Sequence, residues 1–270
     1  MTLFDPPDAA APSGPSLSFP TQRVRMLVAY DGSGFHGFAV QPGKATVGGA
    51  LTDAIAKVVQ APVELTCAGR TDAGVHAWGQ VVSCDLPVGT DLDRLHRSLV
   101  KLLGPAVVVR SVEAAEEGFD ARFSARSRCY RYRVHNAPLP DPFTAHLAWH
   151  VEAPLDRDLL DLACDPFIGE HDFSAFCRRP KTGEDLPPAS LVRRVLRAGW
   201  EEQGDGHLRF EVEATAFCHQ MVRSIVGTVV AAGLGTVRPG DIAAILRSGD
   251  RANAAPIAPG HGLTLWEVRY

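Results

Sequence analysis

Ala68-Gly69-Arg70-Thr71-Asp72-Ala73-Gly74-Val75-His76 stands between two runs of strand-forming residues, 63–67 and 80–86. The flanks are apolar enough to be buried. The stretch itself carries a guanidinium, a carboxylate, a hydroxyl and two glycines. Glycine lets a backbone take positive φ and approach a ligand closely. A polar loop held between two core strands is a common way to build a site. An aspartate two residues after an arginine in a tight turn can be held ionised, because a nearby cation favours the charged form. Such a carboxylate, partly shielded from water, acts as a nucleophile or a general base. The same spacing equally suits an Asp72 that caps the turn while paired with Arg70. The residues alone leave these two readings level. Retaining glycosidases use a second carboxylate as acid. This loop has none, which disfavours that hydrolase type.

Working outward, 23–30 reads as a strand and Asp31-Gly32-Ser33-Gly34 as a turn. Val47, Leu51, Ile55, Val58 and Val59 recur at helical spacing behind Thr46, a fitting N-cap. Leu92, Leu95, Leu99, Leu102 and Leu103 share one face of a second helix. Strands follow at 107–112 and 127–135. The order β-α-β-β-α-β-β predicts a largely antiparallel α+β sheet with helices on one face. Three prolines in 136–142 mark a boundary. Beyond it, 158–163 reads as a short helix. Strands 191–200 and 208–216 are joined by the turn Gln203-Gly204-Asp205-Gly206. Residues 220–234 form a long apolar helix, 241–246 a short one capped by Asp241, and 263–270 a last strand. Five prolines among the first 21 residues predict a disordered tail. The expected division is therefore 1–21 tail, 22–140 first α+β half and 141–270 second α+β half.

The composition, 46% hydrophobic and 21% charged, is that of a globular protein with a sizeable core. A net charge of −4 argues against a wholly basic nucleic-acid binder but leaves a local basic face open. Six cysteines without a CxxC pair, and no secretory leader, read as reduced, mostly buried thiols of a cytoplasmic protein. The longest apolar run, 225–234, is too short to span a bilayer, so no membrane association is expected.

A basic-aromatic run, Arg122-Phe123-Ser124-Ala125-Arg126-Ser127-Arg128-Cys129-Tyr130-Arg131-Tyr132-Arg133, holds five arginines in twelve residues. On a strand Arg128, Tyr130 and Tyr132 face one way and Cys129, Arg131 and Arg133 the other. A guanidinium beside two phenol rings suits flipped or single-stranded nucleotides, and Arg126 and Arg128 are candidate RNA contacts. A second basic cluster, Arg178, Arg179, Lys181, Arg193, Arg194 and Arg197, suits a phosphate backbone or a solvated loop. The histidines lack metal-ligand spacing, and His146 and His150 lack the Glu of a zinc-protease helix. Gly32, Gly34 and Gly37 make no dinucleotide fingerprint. No metal and no cofactor are expected.

The loop 68–76, followed by Gly79-Gln80-Val81-Val82, resembles the signature of the TruA family of tRNA pseudouridine synthases. Other segments resemble that family in order: Tyr30-Asp31-Gly32-Ser33 with Gly37; Phe119-Asp120-Ala121-Arg122-Phe123-Ser124-Ala125 with Arg128-Cys129-Tyr130-Arg131-Tyr132; Gly169-Glu170-His171-Asp172-Phe173; and Phe217-Cys218-His219-Gln220-Met221-Val222-Arg223 with Ile225-Val226-Gly227. The resemblance implies a pseudouridine synthase fold of two similar α+β halves whose sheets join across a basic cleft. It implies conversion of uridine to pseudouridine at positions 38, 39 and 40 of the tRNA anticodon stem-loop, without cofactor or metal. Asp72 matches the catalytic aspartate and Tyr130 the tyrosine that stacks on the target uracil. Arg70 matches an arginine that helps to flip the base and pairs with the aspartate, and Arg223 a basic position lining the cleft. Family members are homodimers whose tRNA spans both subunits. The sequence departs from the family pattern at Gly37-Phe38-Ala39, where Gly-Trp-Gln is usual. It also departs at Ser98, where Asn is usual, and at Leu191-Val192-Arg193.

Overall fold

The structure, a computed structural model, describes residues 20–179 and 190–270. The tail up to residue 19 and Lys181 of the second basic cluster lie outside the described residues. Contacts divide the chain into two compact units. One runs to Arg133 and takes in Asp141–Trp149 and Gly260–Tyr270; the other holds Val134–Pro140 and His150–Pro259.

In the first unit, alternation builds the sheet. Val24, Met26, Val28 and Tyr30 on strand β1 (Thr21–Tyr30) are all buried, as expected where successive side chains point to opposite faces. Strand β2 is Thr66–Cys67, β3 is His76–Pro87, β4 is Val107–Ala114, β5 is Ser127–Asn136 and β10 is Leu263–Arg269. The strand order is β4-β1-β3-β10-β5, with β2 pairing β3. Every pairing is antiparallel except β3 with β10, where Thr264 stands opposite His76. Helix α1 (Val47–Val59) starts where the Thr46 hydroxyl accepts from the Gly49 N–H at 3.2 Å. Helix α2 (Leu92–Leu103) starts where Asp91 accepts from Arg94 N–H at 2.9 Å. Both caps satisfy a donor that a helix start leaves unpaired. Val47, Leu51 and Ile55 of α1, and Leu95 and Leu99 of α2, are buried. Leu102 is not, being half exposed in the last turn.

Two strand boundaries differ from expectation. The run at 63–67 pairs only through Thr66 and Cys67, opposite Ser83 and Val82. β3 begins at His76 rather than 80, because Tyr30 on β1 pairs with Ala77 and β10, nearly two hundred residues downstream, supplies a partner for His76 and Ala77.

In the second unit, β7 (Gly169–Asp172), β8 (Val192–Gly204) and β9 (His207–Ala214) pair antiparallel in the order β9-β8-β7. The β8–β9 hairpin closes through Asp205 and Gly206, at φ 51° and 75°. That is the positive-φ pair a two-residue hairpin favours. Helices α3 (Arg157–Leu162), α4 (Met221–Gly233) and α5 (Ile242–Ser248) accompany them, and β6 (Trp149–Val151) is a short strand at the boundary between the units. Asp241 precedes α5 but its side chain makes no capping hydrogen bond, contrary to expectation. No helix among the described residues is long and apolar enough to cross a membrane.

The expectation of six unpaired thiols needs correction. Cys177 and Cys218 form a disulfide, their Cα atoms 5.8 Å apart and 41 residues separated in sequence. Cys67, Cys84, Cys129 and Cys164 are free.

Candidate active site

The loop between β2 and β3 is polar and glycine-containing, so local packing alone does not hold its shape. The fold holds it residue by residue. Arg128 on β5 is 8% exposed. Its guanidinium donates through Nε and Nη2 to the Ala68 carbonyl, at 3.1 and 3.0 Å, and through Nη1 to Ala125 O at 3.2 Å. Nη2 also donates to the carbonyl of Arg122. Burial pulls the proton affinity of Arg128 below its ordinary value, yet a guanidinium stays charged in proteins. Gln80, fully buried on β3, accepts from Gly69 N–H at 3.3 Å and donates to Gly69 O at 2.6 Å. The same amide donates to Tyr30 Oη at 3.4 Å, and Tyr30 Oη bonds Thr71 Oγ1 at 2.8 Å. The Thr71 carbonyl accepts from Phe38 N–H at 3.0 Å, and a turn closes from Val75 N–H to Asp72 O at 3.2 Å. Each tie is a modest net contribution, but unmade partners in a buried site cost about 1–3 kcal/mol each. The loop is therefore fixed on both sides of Asp72, as a preorganised site requires.

Close backbone approach is part of the same device. A Cβ on Gly32 would stand 2.0 Å from the Val75 carbonyl oxygen. Gly37, at φ 93°, would place its Cβ 2.6 Å from Thr71 O. We expect Gly32→Ala to destabilise the protein by about 3 kcal/mol, because backbone has to move to admit the methyl. Urea unfolding of the variant checks this.

His76 closes the loop. Its Nδ1 lies 3.1 Å from the Gly32 N–H, and Nε2 lies 3.0 Å from the His261 carbonyl. Burial lowers its pKa from 6.5, outweighing the Asp31 carboxylate 3.1 Å away, which acts in the opposite direction. Below pH 6.5 the unfolded chain therefore takes up a proton that the folded chain resists. Stability falls as pH drops from 6.5 toward the lower folded value and is constant above it. Melting temperatures from pH 7.5 to 5 should show this slope in the wild type and a shallower one in His76→Gln.

Tyr130, 7% exposed on β5, lies over the loop: its hydroxyl is 3.3 Å from where a Cβ on Gly69 would stand. Burial raises its pKa above the ordinary tyrosine value, and the Asp72 carboxylate acts in the same direction. Asp72 and Tyr130 are thus within electrostatic reach of each other. Arg70 is exposed on the loop, and the charges of Arg70 and Arg122 both reach Cys67. Burial nevertheless pushes the Cys67 thiol up to about 11. Arg126 is exposed, its N–H donating to Arg269 O at 2.8 Å. Arg223 belongs to the other unit, on α4, where Nε donates to Ala258 O at 2.8 Å.

Not all of the basic-aromatic run serves as expected. Tyr132 is fully buried, edge-on to Trp149 at 6.3 Å, and is a core residue. Arg128 is aimed at backbone carbonyls. In the second basic cluster, Arg197 is paired with Glu211 at 2.6 Å and Glu213 at 2.8 Å. Sequence reasoning assigned no role to Gln80 or Tyr30, whose work depends on partners 11 to 50 residues away. It also missed a surface ladder in which Arg110 lies 4.2 Å over Trp78, Trp78 stacks on Trp266 at 5.8 Å, and Arg131 lies 3.8 Å over Trp266.

A family model described as tRNA pseudouridine synthase matches residues 163–270. A tRNA pseudouridine synthase A from Frankia casuarinae is 46% identical over 252 residues, covering 92% of this chain and 89% of that protein. Counterparts from Bacillus subtilis and Geobacillus kaustophilus are 38% and 40% identical, over 92% and 93% of this chain and 99% and 95% of theirs. Among solved structures, the archaeal box H/ACA sRNP Nop10-Cbf5 complex is similar at a TM-score of 0.35 and 11% identity, over 77% of this chain and 44% of that one. By its near full-length identity to these relatives, the chain belongs to the tRNA pseudouridine synthase A family, isomerases acting on uridine in tRNA.

Proposed function

We propose that the chain isomerises uridine to pseudouridine at positions 38, 39 and 40 of the tRNA anticodon stem-loop, with Asp72 as the nucleophile. One observation carries this reading: Asp72 sits in a loop tied down at both flanks, within reach of the buried Tyr130. Its carboxylate adds to the ribose anomeric carbon or to the uracil ring, and the bond between N1 and C1′ breaks. The uracil turns and carbon 5 bonds to C1′; the bond to the Asp72 carboxylate breaks, displaced from the ribose or eliminated from the ring, which regenerates the free carboxylate. Carbon 5 gives up its proton and N1 takes one, so the atoms of uridine and pseudouridine balance. No second acid is called for, but the detached base has to be retained. The Tyr130 ring packs against it and the rigid loop closes that side.

The target base has to leave its stack, which costs a few kcal/mol. Arg70, Arg126 and Arg223 offset part of that cost by holding phosphates and the displaced strand. Arg128 supports substrate binding by holding the Ala68 carbonyl, and so the loop. The halves 22–140, with the catalytic loop, and 141–270 act together on one tRNA, and the enzyme works as a cytoplasmic homodimer. Tritium release from carbon-5-labelled uridine in unmodified tRNA tests the reaction. Release is expected. Binding without release points to an RNA chaperone, and free uracil to a nucleoside-cleaving hydrolase.

A further inference from the structure

The segment between β4 and β5 ends in a turn that exposes a phenylalanine. Phe123 is 73% exposed. A single exposed apolar side chain is ordinary, and Leu139 and Phe143 are more exposed still; what sets Phe123 apart is its support. This turn is rigid. The Asp120 carboxylate accepts from the N–H groups of Arg122 and Phe123, both at 2.8 Å, and Ser124 bonds back to Asp120 at 2.9 and 3.0 Å. The turn is also anchored from outside. Ser83 Oγ accepts from Ala121 N–H at 3.1 Å, Tyr270 Oη donates to Ala121 O at 2.8 Å, and Arg128 donates to Arg122 O. Ala121 is fully buried between these anchors.

A guanidinium is placed at the ring in a chain whose total charge is −4. The Arg122 guanidinium lies 5.2 Å from the Phe123 ring centroid, and Arg122 and Arg126 are both exposed. Asp120 turns its carboxylate inward onto the turn's own N–H groups. The turn is coupled to the loop of Asp72 through one side chain: Arg128 holds the carbonyls of both Ala68 and Arg122. Arg122 and Arg70 also act together on Cys67, which places the turn beside the loop.

We propose that Phe123 is a stacking residue for an unpaired nucleotide of the RNA substrate, neighbouring the base that enters the Asp72 site. The inference rests on the tRNA-modifying reading above. A fixed aromatic ring with a guanidinium over one face takes a base on its other face, and the exposed arginines of the turn take the adjoining phosphates. Because the turn is already ordered, little freedom is lost on binding. Phe123 touches none of the reacting atoms; it positions the strand.

The test uses the full-length protein and an anticodon stem-loop RNA carrying 2-aminopurine beside the target uridine. Phe123→Ala and Phe123→Leu should weaken binding about ten- to a hundred-fold and lose the 2-aminopurine quenching. Phe123→Trp should restore both. The single-turnover rate at saturating RNA should be unchanged in all three, as should the melting temperature. Phe123→Leu binding like wild type overturns the proposal, since only the π-face has then been removed. A loss of affinity accompanied by a change in sedimentation also overturns it, in favour of a contact with a second copy of the chain. Tritium release by the wild type reads the parent function separately, so failure of one is not failure of the other.

Discussion

Asp72→Asn is expected to lower tritium release by at least about a thousand-fold while changing tRNA affinity by less than about three-fold. The amide keeps the size of the carboxylate but not its nucleophilicity. The fold should survive, because the neighbouring residues carry the loop. Gln80 holds both polar groups of Gly69, Tyr30 holds the Thr71 hydroxyl, and Phe38 holds the Thr71 carbonyl. The Val75-to-Asp72 turn bond uses backbone only and is indifferent to the substitution. An unchanged melting temperature with lost turnover therefore separates chemistry from scaffold. A variant that keeps its turnover removes Asp72 from the reaction.

Arg128→Ala should cost about 3 kcal/mol of stability and reduce kcat about ten- to a hundred-fold. The guanidinium is buried against three carbonyls, and removing it leaves them without their charged donor. Two of those carbonyls belong to the segments that carry Asp72 and Phe123, so both lose their common support. Arg128→Lys should rescue little, because an ammonium cannot reproduce the planar fork. Salt dependence distinguishes this role from phosphate binding. The slope of log affinity against log salt should be unchanged in Arg128→Ala and should fall by about 1 in Arg126→Ala, whose side chain is exposed.

The two arginines also show what the sequence makes legible. Alternation on β5 correctly places Tyr130 and Tyr132 on one side of the strand, since period two is a local property. Whether a residue on that side meets solvent depends on distant partners. Trp149 covers Tyr132, and the Ala68 carbonyl takes Arg128. Helix α1 was readable to the residue because its cap and apolar spacing lie within one short segment. The Asp205-Gly206 turn was readable because its backbone demand is written in two residues. The start of β3 was not, since its partners on β1 and β10 are remote in the chain. The network of Gln80, Tyr30 and Thr71 shares that obstacle. Its members are ordinary polar residues until the sheet brings them together. Phe38 shows the limit of reading departures from a family pattern: the ring is buried, and its backbone N–H holds the loop whatever its side chain.

The central claim is that this site isomerises uridine in the anticodon stem-loop without releasing the base. Nucleotide-resolution mapping of pseudouridine in an unmodified tRNA transcript, before and after incubation with the purified protein, tests it most directly. The account predicts new pseudouridine at positions 38, 39 and 40 where the transcript has uridine there, none elsewhere, and none with Asp72→Asn. A transcript that stays unmodified, gains pseudouridine outside the anticodon stem-loop, or loses uracil to solution contradicts it.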